Sequence, residues 1–291
     1  MRITNSLKVD SLQHNIDIGL TTLNTVQQEI STGKKLNLPS DDPAGASQAL
    51  GLRSALTDNA QYQKDAAAAN SFLSASDNAL TTVTDLLTAA RQITVAGASS
   101  TQTPESRNAL SQQVDGIIHQ LTVAANQTYG GKYLFSGTQT QTAPYTEGDT
   151  AHLYHGNSGS LRSAFGPGDS VTLNTPGDTA FGKAFASLES LKANLGKGDI
   201  AALSTNLNAI DSATGSVSTA RAVIGAKINQ VTATTQNLTK SQGNLQEALS
   251  GVEDVDLAQA YVQLQSAQNI YQASLVTTSK AFQYSLSQYL G

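Results

Sequence analysis

The chain has 291 residues, enough for two or three compact units, with a net charge of −5, only 13% charged and 5% aromatic residues, and no cysteine. The missing thiols exclude disulfides, thiolate metal sites and cysteine nucleophiles. The acidic balance, without a basic stripe anywhere, excludes the clustered Lys/Arg footprint of a nucleic-acid binder.

The opening run Met1–Ser6 lacks the uninterrupted apolar segment of a cleaved secretory signal. No stretch of about 18 apolar residues is present to span a bilayer, so membrane insertion is not expected and export needs another route. From Leu12 onward, Ile16, Leu20, Leu23 and Ile30 fall on one stripe of an amphipathic helix that fades near Gly33. Leu38-Pro39-Ser40-Asp41-Asp42-Pro43-Ala44-Gly45 reads as a break followed by a start signal, with Asp42 as N-cap and Pro43 at the first helical position. A long helix is then predicted to about Gly97. Within it Leu73, Leu80 and Leu87 recur every seventh residue, with Ser76, Val83 and Ala90 between them, a heptad-like seam.

Thr103 and Pro104 start another helix, carrying Leu110, Val114, Ile117, Leu121 and Ala124, and Gly130-Gly131 supplies its expected stop. The short Ser/Thr-rich connection makes the two helices an antiparallel hairpin. Between about residues 131 and 180 the pattern turns to Gly, Pro and Thr with alternating apolar residues, as in Lys132-Tyr133-Leu134-Phe135 and Ser170-Val171-Thr172-Leu173. A β-hairpin is predicted from His152–His155 through Gly156–Gly159 to Ser160–Arg162.

Leu203, Ile210, Val217, Ile224, Val231, Leu238, Leu245 and Val252 then recur every seventh residue and are the expected bundle core. The companion positions, Leu207, Thr214, Arg221, Ile228, Thr235, Gln242 and Leu249, mix apolar and polar types, which suits packing on neighbours in the same chain with some wetter layers. After Gly251 a last helix presents Leu257, Tyr261, Leu264, Tyr271, Leu275 and Phe282 along one stripe. From Asp256 to the end its only charged side chains are Asp256 and Lys280.

These elements predict a mainly α fold with a small β insertion: a long antiparallel helical bundle or coiled coil built from both termini. Residues 1–40 and 255–291 form terminal helices, 41–130 and 181–254 a helical bundle, and 131–180 a small β domain. Helices the size of the two terminal ones are marginal alone in water. A nearly uncharged surface suits an element covered on every side, because interface cores deplete charge. Ile16, Leu20, Leu23, Ile30, Leu257, Tyr261, Leu264, Tyr271, Leu275 and Phe282 are therefore the expected assembly interface, ordering against neighbouring copies. An ordinary intramolecular bundle is the other reading of the same stripes.

No constellation supports catalysis, a cofactor or a metal. His152 and His155 have an H-x-x-H spacing but no placed third ligand. Asp41-Asp42 precede a proline and read as capping residues, not an acid–base pair. Gly130-Gly131 and Gly156–Gly159 lack the context that brings backbone amides to phosphate. His14 and His119 lie in helical patterns, and no nucleophile elbow is present.

Ile30-Ser31-Thr32-Gly33-Lys34-Lys35-Leu36-Asn37 together with Ser40-Asp41-Asp42-Pro43-Ala44-Gly45 resembles the amino-terminal signature of flagellins and flagellar hook-associated proteins. Lys132–Thr138 is similar to the strand entry after the helical hairpin in the hook-associated protein 3 (FlgL) family, and Gln268–Leu275 to its carboxy-terminal helix. The resemblance covers roughly 1–140 and 180–291, and departs from that pattern at Ser285–Tyr289. It implies a flagellin-like fold, export as an unfolded chain through the flagellar type III apparatus, and an extracellular, non-enzymatic place between hook and filament. The partners it implies are copies of itself, the preceding hook-associated junction protein, flagellin and an export chaperone. A flagellin filament subunit is the alternative within the class. A signalling coiled-coil hairpin and a secreted enzyme with helical arms are the alternatives outside it.

Overall fold

The computed structural model describes the backbone of residues 2–149, 151–166 and 168–290, and their side chains except at 2–6, 8, 9, 281, 282 and 284–290. In chain order the described elements are α1 (Arg2–Thr32), α2 (Pro43–Gly97), α3 (Pro104–Ala125), β1 (Thr128–Tyr129), β2 (Lys132–Tyr133), β3 (Arg162–Gly166), β4 (Asp169–Thr172), α4 (Gly177–Lys197), α5 (Ile200–Glu253) and α6 (Leu257–Leu290). The fold is mainly helical with two small antiparallel strand pairs, β1 with β2 and β3 with β4.

The helix boundaries follow local chemistry. α1 stops where Gly33 turns into the left-handed region at φ 71°. The Asp42 carboxylate accepts hydrogen bonds from the N–H groups of Ala44 and Gly45, at 3.1 and 3.0 Å, and so caps α2. Thr103 Oγ1 accepts from the Ser106 N–H at 3.2 Å and caps α3, with Pro104 following it. Gly198 ends α4 at φ 69°.

Two sequence expectations are corrected. α3 ends at Ala125, and Gly130 and Gly131, at φ 58° and 75°, instead form the two-residue turn that joins β1 to β2. Successive left-handed residues match the twist of a tight hairpin, which is why glycines serve better there than as a helix stop. The predicted 152–162 hairpin does not form among the described residues; Arg162–Gly166 pairs instead with Asp169–Thr172. His152–Leu161 runs as irregular chain, held by side-chain bonds such as Leu161 N–H to Asn174 Oδ1 at 2.8 Å. Asn157 Oδ1 adds bonds from the Thr138 and Gly159 N–H groups at 2.9 and 3.0 Å.

The chain divides into two compact units, 1–58 with 242–291 and 59–241, where the sequence suggested three segments. In the first, α1 packs on α6. In the second, a single apolar core joins Leu73, Leu80 and Leu87 of α2, Val114 and Leu121 of α3, Phe181 and Leu188 of α4, and Leu203, Ile210 and Val217 of α5. Phe135, Tyr145, Phe165 and Val171 from the strand-bearing segment belong to that same core. Residues 131–180 therefore share an interior with helices, because a pair of two-stranded ribbons cannot bury a core alone.

Candidate assembly surface

α1 and α6 meet along a seam whose fully buried positions are mostly small. Gly19 and Val26 are buried on α1, and Ala260 and Ala267 are buried on α6, each pair seven residues apart. The absence of a side chain at Gly19 admits the Tyr271 ring, whose Cδ2 lies 3.8 Å from where a Cβ would stand. Of the ten predicted interface residues, Ile16, Leu23, Ile30, Leu264 and Tyr271 are half-buried along this seam, so part of each stripe is satisfied inside the chain. Leu20, Leu257, Tyr261 and Leu275 remain exposed; the side chain of Phe282 lies outside the described residues.

The exposed set is wider than the sequence stripe. Val262, Ile270 and Val276 are also exposed on α6, Val262 at 71% and Tyr261 at 59%. Between Leu257 and Lys280 no side chain is charged. Exposed apolar side chains on an uncharged helix are the kind of surface that interfaces cover. Periodicity alone missed the small seam residues. Their signal was the seven-residue spacing of Gly19 with Val26 and Ala260 with Ala267, hidden because alanine and glycine carry little hydrophobic weight.

At the base of this helix pair lies an ion cluster that sequence reading did not single out. Glu253, its side chain only 4% exposed, receives Lys34 Nζ at 2.8 Å and Arg53 Nη2 at 2.7 Å. Lys34, and after it Arg53, holds the Glu253 carboxyl below its ordinary value despite the burial that opposes ionisation. The Lys35 N–H donates to the Glu253 carbonyl at 2.8 Å, and the Val255 N–H to the Gly33 carbonyl at 3.1 Å. The connectors after α1 and before α6 thus pair as a short antiparallel bridge. Asp256 Oδ1 then caps α6 by accepting from the N–H groups of Ala258 and Gln259.

Along α5, Leu203, Ile210, Val217, Ile224 and Val231 are fully buried, whereas Leu238, Leu245 and Val252 are half-buried. One regular repeat therefore spans two environments. Arg221, at a companion position, reaches Asp77 of α2 with Nε 3.0 Å from Oδ1, which explains a charge inside the repeat.

The chemistry-bearing side chains of the middle segment have structural settings. His152 adopts φ 44°, stacks on Phe185 with ring centroids 4.6 Å apart, and places Nε2 2.9 Å from Glu189 Oε1. His155 is exposed and separate from that arrangement. Burial, then the charge of Asp178, pushes the Tyr145 hydroxyl far above its usual value, and it donates to the Gly177 carbonyl at 3.1 Å. Tyr154 Oη donates to the Phe135 carbonyl at 2.8 Å. His14 and His119 are exposed on α1 and α3. Among the described residues no group of three or more His, Asp or Glu is arranged to hold a metal ion, and no helix is long and apolar enough to cross a membrane.

Comparison with known proteins places these features. Residues 3–140 match the bacterial flagellin N-terminal helical region, and residues 207–290 the bacterial flagellin C-terminal helical region. Flagellar hook-associated protein 3 of Escherichia coli K12 is 33% identical over 155 residues, which are 53% of this chain and 48% of that protein. The Salmonella typhimurium protein of the same name is 32% identical over 55% of this chain and 50% of its own length. The matches thus span about half the length of these two relatives. A flagellin of Halalkalibacterium halodurans is 24% identical over 97% of this chain and 96% of its own. The crystal structure of Bacillus cereus FlgL shares the fold, with TM-score 0.61 at 23% identity, over 69% of this chain and 99% of that one.

Proposed function

The chain belongs to the bacterial flagellin family, whose N-terminal and C-terminal helical regions it carries, and we propose that this structural subunit of the flagellum joins the hook to the flagellin filament. The reading rests on one observation: the pair formed by α1 and α6 leaves Tyr261, Val262, Ile270, Leu275 and Val276 exposed on a helix that is uncharged from Leu257 to Ser279. A surface of this kind gains free energy when neighbouring copies and adjoining proteins cover it, at about 25 cal/mol per Å² of apolar area removed from water.

In this reading the chain travels through the flagellar type III apparatus unfolded, accompanied by a chaperone, and assembles outside the cell at the growing tip. Its neighbours there are copies of itself, the preceding hook-associated junction protein and flagellin. The absence of cysteine suits such a route, since no disulfide stands in the way of threading. The hook-filament position is favoured by the greater identity to the two hook-associated proteins.

The second reading, a subunit of the filament itself, is supported by the near full-length match to flagellin. A labelled antibody against the partly exposed 151–162 segment on intact flagella separates the two. A single short band between hook and filament supports the junction, and label along the whole filament supports the second reading. Label absent from flagella altogether would overturn both.

A further inference from the structure

We propose that Lys227 is a modification site: its amine, on the wall of a groove in the 59–241 unit, condenses with small aldehydes. Lys227 lies on α5, three residues after the fully buried Ile224, and is itself half-buried. Its Nζ donates a hydrogen bond of 3.2 Å to the Asn174 carbonyl. Asn174 is buried, and its side chain is tied to the Leu161 N–H and the Gly159 carbonyl at 2.8 and 2.7 Å, so this acceptor is held in place. Among the described residues no carboxylate pairs with Lys227, whereas Lys34 and Lys192 each have one.

Lys227 lines a groove of about 580 Å³ between α5 and the start of α4, a volume suited to a small organic molecule. Pro176, Ala220 and Val223 form apolar parts of its wall, and Ser216 and Thr219 bring hydroxyl-bearing side chains to it. The other titratable groups of the groove are Asp178 and Lys183 of α4, both exposed.

An ammonium group carries three N–H donors, and a partly apolar wall without a paired anion satisfies them poorly. Burial accordingly pushes the Lys227 amine below the usual lysine value. More of it is therefore the neutral, nucleophilic amine at pH 7 than for a lysine in water. An aldehyde suits this state, since it reacts with the free amine and brings no charge into the groove. The Nζ lone pair attacks the carbonyl carbon, and the two amine protons pass to the carbonyl oxygen, which leaves as water. The product is an imine, and no oxidant or reductant is consumed. This site goes beyond the place of the chain in the flagellum and involves neither terminal helix.

Treating the full-length chain with propanal and cyanoborohydride, which traps each imine as a secondary amine by hydride transfer, tests the site, with adducts at each lysine measured by peptide mass spectrometry. Lys64 on α2 and Lys183 are exposed and serve as internal references. Lys227 is expected to react about threefold or more faster than either at pH 7. Competitive labelling with trace acetic anhydride reads the state of the amine separately. Acetylation of Lys227 should level off at a lower pH than that of Lys64, whose ordinary value is about 10.4. Thr219→Phe fills the groove from an exposed position of α5 and should slow the propanal reaction at Lys227 while leaving Lys64 unchanged. The first two comparisons use the parent chain alone, so they stand whatever that variant does to stability. Lys227 reacting no faster than the references, or levelling off at the same pH as Lys64, would overturn the proposal. A rate at Lys227 that ignores Thr219→Phe in the folded variant would do the same.

Discussion

The carboxylate of Asp42 occupies the space that a side chain at Gly45 would need. A Cβ built at Gly45 runs into Asp42 Oδ2 and comes within 3.1 Å of Leu36 Cδ1. The same carboxylate caps α2 by accepting from the N–H groups of Ala44 and Gly45. The glycine is thus the partner that lets an aspartate sit over the first turn. A helix that opens Asp-Pro-Ala-Gly accepts the entropic cost of glycine for that reason.

Gly45→Ala is therefore expected to destabilise the unit of 1–58 and 242–291 by about 1 kcal/mol, the usual worth of a helix cap. Gly19→Ala should have the opposite sign. Its new methyl group would meet Tyr271 at ordinary contact distance, 3.8 Å, and alanine favours a helix interior by about 0.5–1 kcal/mol over glycine. Urea titration followed by circular dichroism checks both, and the two variants shifting in the same direction would refute the argument.

The repeat along α5 predicts unequal costs for equal changes. Ile210→Ala and Ile224→Ala each remove a fully buried side chain and should cost about 2–5 kcal/mol. Leu245→Ala, half-buried, should cost less, about 1 kcal/mol. Unfolding midpoints that fall equally for all three would mean that burial does not separate the two stretches.

Acid should weaken the Glu253 ion cluster. The Glu253 carboxyl lies below its ordinary value in the folded chain, so its contribution is fully present above the unfolded value of about 4.3 and is lost as pH falls through the folded value. Hydrogen exchange at the Lys35 and Val255 amides, which close the bridge beside Glu253, should therefore rise relative to its intrinsic rate as pH falls from about 5 to 3 in the parent chain. In Glu253→Gln this component of the rise should vanish. An unchanged acid response in the variant would place its origin elsewhere.

The exposed face of α6 should be dispensable to the free chain and needed for assembly. Tyr261→Asp and Leu275→Asp put charges where solvent already reaches, so surface-scale changes within about 0.5 kcal/mol are expected for the monomer. Swimming, and the label at the flagellum, should both be lost. Normal motility in both variants would argue against this face as the interface.

Periodicity determined much of this protein. The seven-residue repeats of α2 and α5, the Asp42-Pro43 and Thr103-Pro104 helix starts, and the mainly helical fold with small strand pairs are local consequences of side-chain spacing and backbone freedom. They require no knowledge of what packs on what. The flagellar resemblance, too, was legible in Ser40–Gly45 and Lys132–Thr138.

Tertiary structure decided the rest. A stripe shows which residues prefer to leave water, not which surface receives them. Only packing showed that Ile16, Leu23, Leu264 and Tyr271 line a seam between α1 and α6 while Tyr261 and Leu275 stay exposed. Likewise Glu253 was one acidic residue among 22 acidic side chains until the fold placed Lys34 and Arg53, distant in sequence, against it. Turns and ion clusters depend on long-range contacts that no short window of sequence encodes. For the same reason Gly130-Gly131 closes a hairpin here instead of ending a helix.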